Sequence, residues 1–353
     1  MSWTKLDRVM AALSGEMPDR TPIFDYMIND RVFEHYLGRS IIPGEQAAIL
    51  QATSKFLDLC HPMPAAYEPH EETLPDKTRR VFERWMVWDV YPKRGGEEMV
   101  LSLKDGIEQL ESANNRHFSD NDDAAAWKTE EEQKHIWAGD MVYISLGLGL
   151  PILPGRTIEE NSFYLADCPK LCKQWNRLGT QSALRMAESH ARESSSPVAI
   201  IWNDVAMKGG LIYPPRVLDE YFFPGLHEMV SILHANGIKA IFHSDGDVSK
   251  VFDRLVDCGI DGFNPLEISA GMEVSDFVGK YGKKVTLVGG MDAVNVLAFG
   301  TPETVANATK KLISEAGKNG RLIIGSSSGQ LDNSMPFENI MSYFNTVQEH
   351  KNF

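Results

Sequence analysis

The feature that most constrains this chain is a motif that recurs through its second half: a short apolar run ending in a polar residue, followed by a helical stretch. Val198-Ala-Ile-Ile-Trp202 runs into Asn203-Asp204, and Ile238-Lys-Ala-Ile-Phe242 into His243-Ser-Asp245-Gly-Asp247. Gly259-Ile-Asp-Gly-Phe263 runs into Asn264-Pro-Leu-Glu267, and Val285-Thr-Leu-Val288 through Gly289-Gly290 into Asp292. Leu322-Ile-Ile324 passes through Gly325 into Ser326-Ser327-Ser328. From Asp204 to His243, Asn264, Asp292 and Ser326 the steps are 39, 21, 28 and 34 residues, the length of a strand-plus-helix unit. Near-continuous apolar strands separated by helices demand a parallel sheet covered by helices. No Gly-x-Gly-x-x-Gly follows the first strand, which weakens an open dinucleotide-binding sheet. Polar residues at so many strand ends favour a closed barrel, whose active site gathers side chains from each strand terminus. The expectation is an α/β fold: one TIM-type (β/α)8 barrel over residues 1–353.

The intervening segments agree. Pro215 to Asn236, Val248 to Gly259 and Thr304 to Gly317 carry apolar stripes at helical spacing. An N-terminal helix begins at Thr4, with Asp7 completing a capping pair, and ends at Gly15 and Pro18. Residues 61–140, with Pro62, Pro64, Pro69 and Pro75, show no clean repeat and read as a strand or two plus an irregular barrel-edge insertion. The acidic stretches Ser119–Asp123 and Glu130–Glu132 read as solvated surface.

Composition limits the partners. The chain has 35 Lys+Arg against 49 Asp+Glu, a net charge of −14, with no basic surplus for nucleic acid or an anionic membrane. Its 4 cysteines are too few for a disulfide framework and read as reduced thiols. No apolar leader opens the chain and no run approaches a membrane span, so a cytoplasmic protein is expected.

In His243-Ser-Asp245 the two outer residues face one side of a strand and can point together at one ligand or metal. A neutral imidazole and a carboxylate are both zinc ligands, and a carboxylate can instead orient the imidazole. Asp204 and Asp292 join His243 and Asp245 as candidate catalytic groups, with Asp25, Asn203, Asn264, Glu267, Ser326 and Ser328 as candidate substrate contacts. Asp and Asn after a strand also commonly cap helices. Carboxylates crowded at one mouth raise one another's pKa and suit one of them to acid catalysis. Gly289, Gly290 and Gly325 either let a bulky cofactor approach the backbone or relieve crowding. Ser326-Ser-Ser-Gly329 is also readable as a phosphate turn, though no Lys follows it closely.

Leu6-Asp-Arg-Val-Met-Ala-Ala-Leu-Ser-Gly-Glu-Met-Pro-Asp-Arg-Thr-Pro22 resembles the opening of the uroporphyrinogen decarboxylase superfamily, which includes the corrinoid-dependent (methylcobamide-type) methyltransferases. Lys208–Pro215, Phe242–Val248, Asn264–Glu267, Ala270–Met272, Leu287–Asp292 and Met335–Asn339 match its later landmarks in order. The resemblance implies the same barrel. It departs from the decarboxylases, whose Gln-Ala-Gly-Arg segment is here Phe24–Asn29, without the arginine that grips the porphyrinogen. It departs too from the coenzyme M methyltransferases, whose zinc is held by His-x-Cys and a later Cys. Here His243-x-Asp245 and Ser328 stand in those places. The resemblance then implies a methyltransferase moving a methyl group from a small ether- or amine-type donor to the cobalt of a corrinoid (cobalamin) carried by a partner protein. A zinc ion on His243 and Asp245 is compatible with it, as is a homodimer. A carboxy-lyase of porphyrin biosynthesis and a non-catalytic ligand-binding barrel are the alternatives.

Overall fold

The computed structural model describes residues 2–61, 66–115 and 122–350. Six parallel strands run side by side: Leu322–Ser326, Thr286–Met291, Gly262–Asn264, Lys239–His243, Val198–Trp202 and Leu146–Leu148. The segment 142–148 belongs to two neighbours. Its first half, Val142–Tyr143, pairs with Leu59–Cys60, and its second half pairs with Val198–Trp202. Residues 23 and 24 close the ring, Ile23 bridging Ile324 and Phe24 bridging Leu59, both parallel. The amide of Phe24 donates to Ile324 O at 2.9 Å and that of Leu59 to Ile23 O at 3.1 Å. Segments 23–24, 59–60 and 142–148 with the five later strands give the eight staves of a TIM-type barrel.

The barrel interior follows from alternation. Phe24, Leu59, Val142, Ile144, Val198, Ile200, Ile241, Val288 and Ile323 point inward and pack into one buried cluster. Their neighbours Ala199, Ile201, Ala240, Phe242, Leu287 and Ile324 point outward under the helices. Val9, Ala12 and Leu13 of helix Lys5–Ser14 belong to the inner cluster. The Thr286 hydroxyl donates to Ala12 O at 2.8 Å, so this helix plugs the N-terminal end of the barrel. Thr4 and Asp7 form the expected reciprocal cap, and Gly15 ends the helix at φ 78°.

Three local expectations change. The helix expected over Pro215–Asn236 is two, Pro215–Tyr221 and Phe223–Ala235, because Pro224 has no amide to continue the first and restricts the residue before it. The insertion is more regular than its proline content suggested. It holds an antiparallel sheet of His70–Thr73, Arg79–Phe82 and Val87–Val90, then helices Gly96–Asn115 and Asp122–Ala138. Glu131 is not a solvated acid: it is 3% exposed and accepts hydrogen bonds from the hydroxyls of Ser145 (2.5 Å) and Ser194 (2.7 Å). Residues 119–121 of the other acidic stretch lie outside the described residues. Cys60, Cys168, Cys172 and Cys258 are unpaired. Among the described residues no helix is long and apolar enough to cross a membrane.

Candidate active site

Strand register assembles the mouth. His243 lies opposite Trp202 on one side and Asn264 on the other, and all three continue the inward phase set by Ile200 and Ile241. Adjacent strands stand roughly 4.8 Å apart, so three residues distant in sequence form one row. The Trp202 ring packs on His243 with centroids 4.1 Å apart. Gly329, from the loop after the last strand, closes over the imidazole: a Cβ there would lie 3.5 Å from its Cε1.

The turns after two neighbouring strands are stitched together. The Asn203 amide donates to His243 O at 3.1 Å, and the Asp245 amide to Asp204 Oδ1 at 3.0 Å. The Val205 amide donates to the Ser244 hydroxyl at 3.1 Å. Gly246 sits at φ 82°, and a Cβ there would meet Met207 N at 2.3 Å, so the turn requires glycine on both counts. Its amide donates to Glu267 Oε2 at 2.8 Å, so Glu267 shapes the Asp245 turn.

The result is a triad. His243 Nε2 stands 3.8 Å from Asp204 Oδ1 and 3.8 Å from Asp245 Oδ1, and all three ligand atoms lie within 4.8 Å of one another. His243 is 8% exposed, and burial holds its pKa below the usual imidazole range despite opposing pulls from Asn264 and Asp204. Burial, with the charges of Asp204 and Glu267, pushes the Asp245 carboxyl up to about 6. Asp245 Oδ1 is buried with no hydrogen-bond partner. These distances are too long for hydrogen bonds and suit three donors around a common centre: atoms 2.0–2.2 Å from a tetrahedral zinc stand about 3.4 Å apart. The orphaned oxygen, the unpaired Nε2 and the N,O,O donor set fit a divalent ion. Asp204 completes that set. Without a sulfur donor it leans towards harder ions than a thiolate zinc site does.

Several candidates stand elsewhere or act structurally. Asp25 follows the inward Phe24 and therefore points outward, 1% exposed. There it accepts the Ser326 hydroxyl at 2.6 Å and the Ser326 amide at 3.1 Å, so these two form a clasp in the barrel seam. Asp292 caps residues 293–298, accepting from the Val294 (3.0 Å) and Asn295 (2.8 Å) amides. It lines a groove of about 760 Å³ beside helices Val274–Tyr281 and Pro302–Ala316, to which His243 does not contribute. Among the described residues that groove gathers no metal-ligating donor set. The Asn203 amide group clamps Leu150, donating to its O at 2.8 Å and accepting from its N at 2.9 Å. The Ser328 hydroxyl donates to Gln330 O at 3.0 Å. A Cβ at Gly289 would meet Pro265 O at 2.0 Å, at Gly290 Leu287 Cδ2 at 3.1 Å, and at Gly325 Phe24 O at 2.4 Å. Gly289 and Gly325 are thus crowded by the backbone of neighbouring segments, and Gly290 by the side chains of Leu287 in its own strand and Leu312 of helix Pro302–Ala316. The phosphate turn has no support, since the Ser326 and Ser328 hydroxyls are spent within the protein.

One mouth residue was missed. His61, just after Leu59–Cys60, accepts the Trp202 Nε1–H at 3.1 Å, edge-on to its ring. Gly147 makes the room, since a Cβ there would lie 2.8 Å from His61 Nε2. A polar residue after Asp58-Leu-Cys60 was the signal, hidden by the brevity of that strand.

The triad stands at the end of the barrel opposite the helix Lys5–Ser14. The uroporphyrinogen decarboxylase (URO-D) family model matches residues 165–350, over half of the sequence, and the chain belongs to that family. No curated protein matches the chain. Among solved structures, a methyltransferase from Methanosarcina mazei superposes with a TM-score of 0.64 at 16% identity, over 99% of each chain, which shows that the barrel is shared.

Proposed function

We propose that this protein is a methyltransferase of a corrinoid-dependent demethylation system, taking a methyl group from a small ether- or amine-type donor and passing it to the cobalt of a separate corrinoid protein. The observation that carries the reading is the Asp204–His243–Asp245 triad at the end of the barrel opposite the helix Lys5–Ser14. A divalent ion bound there would stabilise the charge that builds on the donor heteroatom as the methyl group leaves. The chain's own part is to hold three donors converging, to fix the imidazole between Trp202 and Asn264, and to keep water from its buried face. Glu267 holds the Asp245 turn in place through Gly246. The structural likeness to the Methanosarcina mazei methyltransferase supports this reading. A corrinoid on a partner would reach the donor by docking over the mouth.

Family membership favours a second reading, a carboxy-lyase acting on a porphyrinogen. Charge opposes it. Among the described residues no Lys or Arg pairs with Asp204 or Asp245, and their one ion-pair partner is His243 at 3.8 Å, so a polycarboxylate would enter an acidic mouth without a guanidinium or ammonium partner. The test incubates the protein with reduced corrinoid protein and a panel of methyl ethers and methylamines, following corrinoid methylation by absorbance, beside a parallel assay with uroporphyrinogen. Methyl transfer from one donor class is expected. Silence across the panel with turnover of the porphyrinogen would reverse the assignment.

A further inference from the structure

The imidazole of His243 is held by a chain of buried hydrogen bonds that reaches back to a backbone carbonyl. His243 Nδ1 lies 2.7 Å from Asn264 Oδ1, and Asn264 Nδ2 lies 2.8 Å from Val288 O. Asn264 is 1% exposed, so neither contact exchanges freely with water. The direction of the chain is set at its far end. A carbonyl oxygen only accepts, so Val288 O must receive a hydrogen, and the one amide atom able to supply it is Nδ2. The amide oxygen is thereby turned to the imidazole. An oxygen that also only accepts requires a hydrogen on Nδ1. In a neutral imidazole Nε2 is then left with its lone pair, facing Asp204 and Asp245.

We propose that Asn264 is a positioning residue that locks His243 in the Nδ1–H tautomer and so presents the Nε2 lone pair to the centre of the triad. The inference deepens the reading of the triad as a cation site and rests on it for its purpose, though not for its geometry. The opposite tautomer would aim an N–H at the place a cation would occupy and leave two lone pairs confronting each other across 2.7 Å. Both costs fall in a buried setting, where an unmatched polar contact is expensive. Orienting partners of this kind typically carry roughly 10–100-fold in metal affinity.

The primary readout is nitrogen NMR of the metal-stripped protein labelled at histidine. The chain has 10 histidines, so the His243 signals are assigned by their loss in His243→Gln. Wild type should show a protonated Nδ1 and an unprotonated Nε2. Asn264→Leu should move His243 towards the Nε2–H tautomer and weaken Co2+ and Zn2+ binding roughly 10–100-fold. Asn264→Asp keeps an acceptor facing Nδ1 and, with a proton on its other oxygen, a donor to Val288 O; it should retain the hydrogen on Nδ1, a rescue that a merely space-filling role would not produce. If Asn264→Leu does not fold, wild type and Asn264→Asp still decide the matter. An Nε2–H imidazole in wild type, or an unchanged tautomer in folded Asn264→Leu, would overturn the proposal. Wild type that binds neither ion would remove the cation site while the NMR result still judged the lock.

Discussion

Asp25 offers a stability experiment whose sign runs against the usual behaviour of a carboxylate. Burial, only partly offset by the hydroxyl and amide of Ser326, pushes its pKa up from 3.8 to about 7. The folded protein therefore holds a proton on Asp25 that the unfolded chain gives up above pH 3.8. Asp25 contributes its full stability below the unfolded value and loses it as pH rises through the folded one, at about 1.4 kcal/mol per pH unit between them. Over the span from 3.8 to about 7 the loss is at most roughly 4 kcal/mol. The hydrogen bonds are consistent with a neutral acid. Ser326 Oγ has two acceptors in reach, Asp25 Oδ1 at 2.6 Å and Gln330 O at 3.0 Å, but one hydrogen to give. A proton on Asp25 lets it donate to Ser326, which then donates to Gln330. Asn in place of Asp25 keeps the acceptor oxygen and never ionises. Urea unfolding of wild type and Asp25→Asn at pH 5 and pH 8 makes the comparison. The two should be close at pH 5, and the variant should be more stable by about 2–4 kcal/mol at pH 8. Parallel profiles, or a variant that loses ground as pH rises, would refute the buried-acid argument.

Other outcomes follow from the same contacts. Gly246→Ala would strain a left-handed turn and press a methyl on the Met207 amide; it should cost roughly 2 kcal/mol or more in urea and weaken divalent-ion binding through Asp245. Arg94→Met strands Glu160, whose oxygens lie 2.6 and 3.0 Å from the guanidinium, in side chains only 7% and 10% exposed. It should cost about 3–5 kcal/mol, while Arg94→Met with Glu160→Met should recover most of that; additive losses in the double variant would count against a buried pair. Asn203→Ala frees Leu150 from its two-point clamp and should destabilise by about 1–3 kcal/mol with the His243 tautomer unchanged, which separates a scaffold residue from Asn264.

The barrel was readable because its signal is repetitive: each inward apolar residue needs a partner two positions on, and the strand ends inherit that phase. His243 and Asp245 were readable as neighbours for the same reason. Asp204 reaches them only because backbone hydrogen bonds stitch two turns 39 positions apart, which no local pattern encodes. Asp25 was misplaced by one step of phase. A two-residue stave shows a run of apolar residues but not which of them faces in, and a single step turns a mouth carboxylate into a seam carboxylate. Asp292 and Asn203 show the ambiguity of Asp and Asn after a strand, where capping and catalysis call for the same side chains. The glycines were ambiguous because a close approach by backbone and one by a ligand select the same residue. His61 lacked periodicity to announce it, with prolines at 62 and 64 following a strand of two residues.

If three donors from two turns form one cation site, metal binding must depend on each of them. Equilibrium dialysis of the metal-stripped protein against Zn2+ and Co2+, with metal counted per chain, tests it most directly in wild type, His243→Ala and Asp204→Asn. One ion per wild-type chain, lost in His243→Ala and weakened in Asp204→Asn, is the predicted result; equal metal content in all three proteins, or none in wild type, would contradict it.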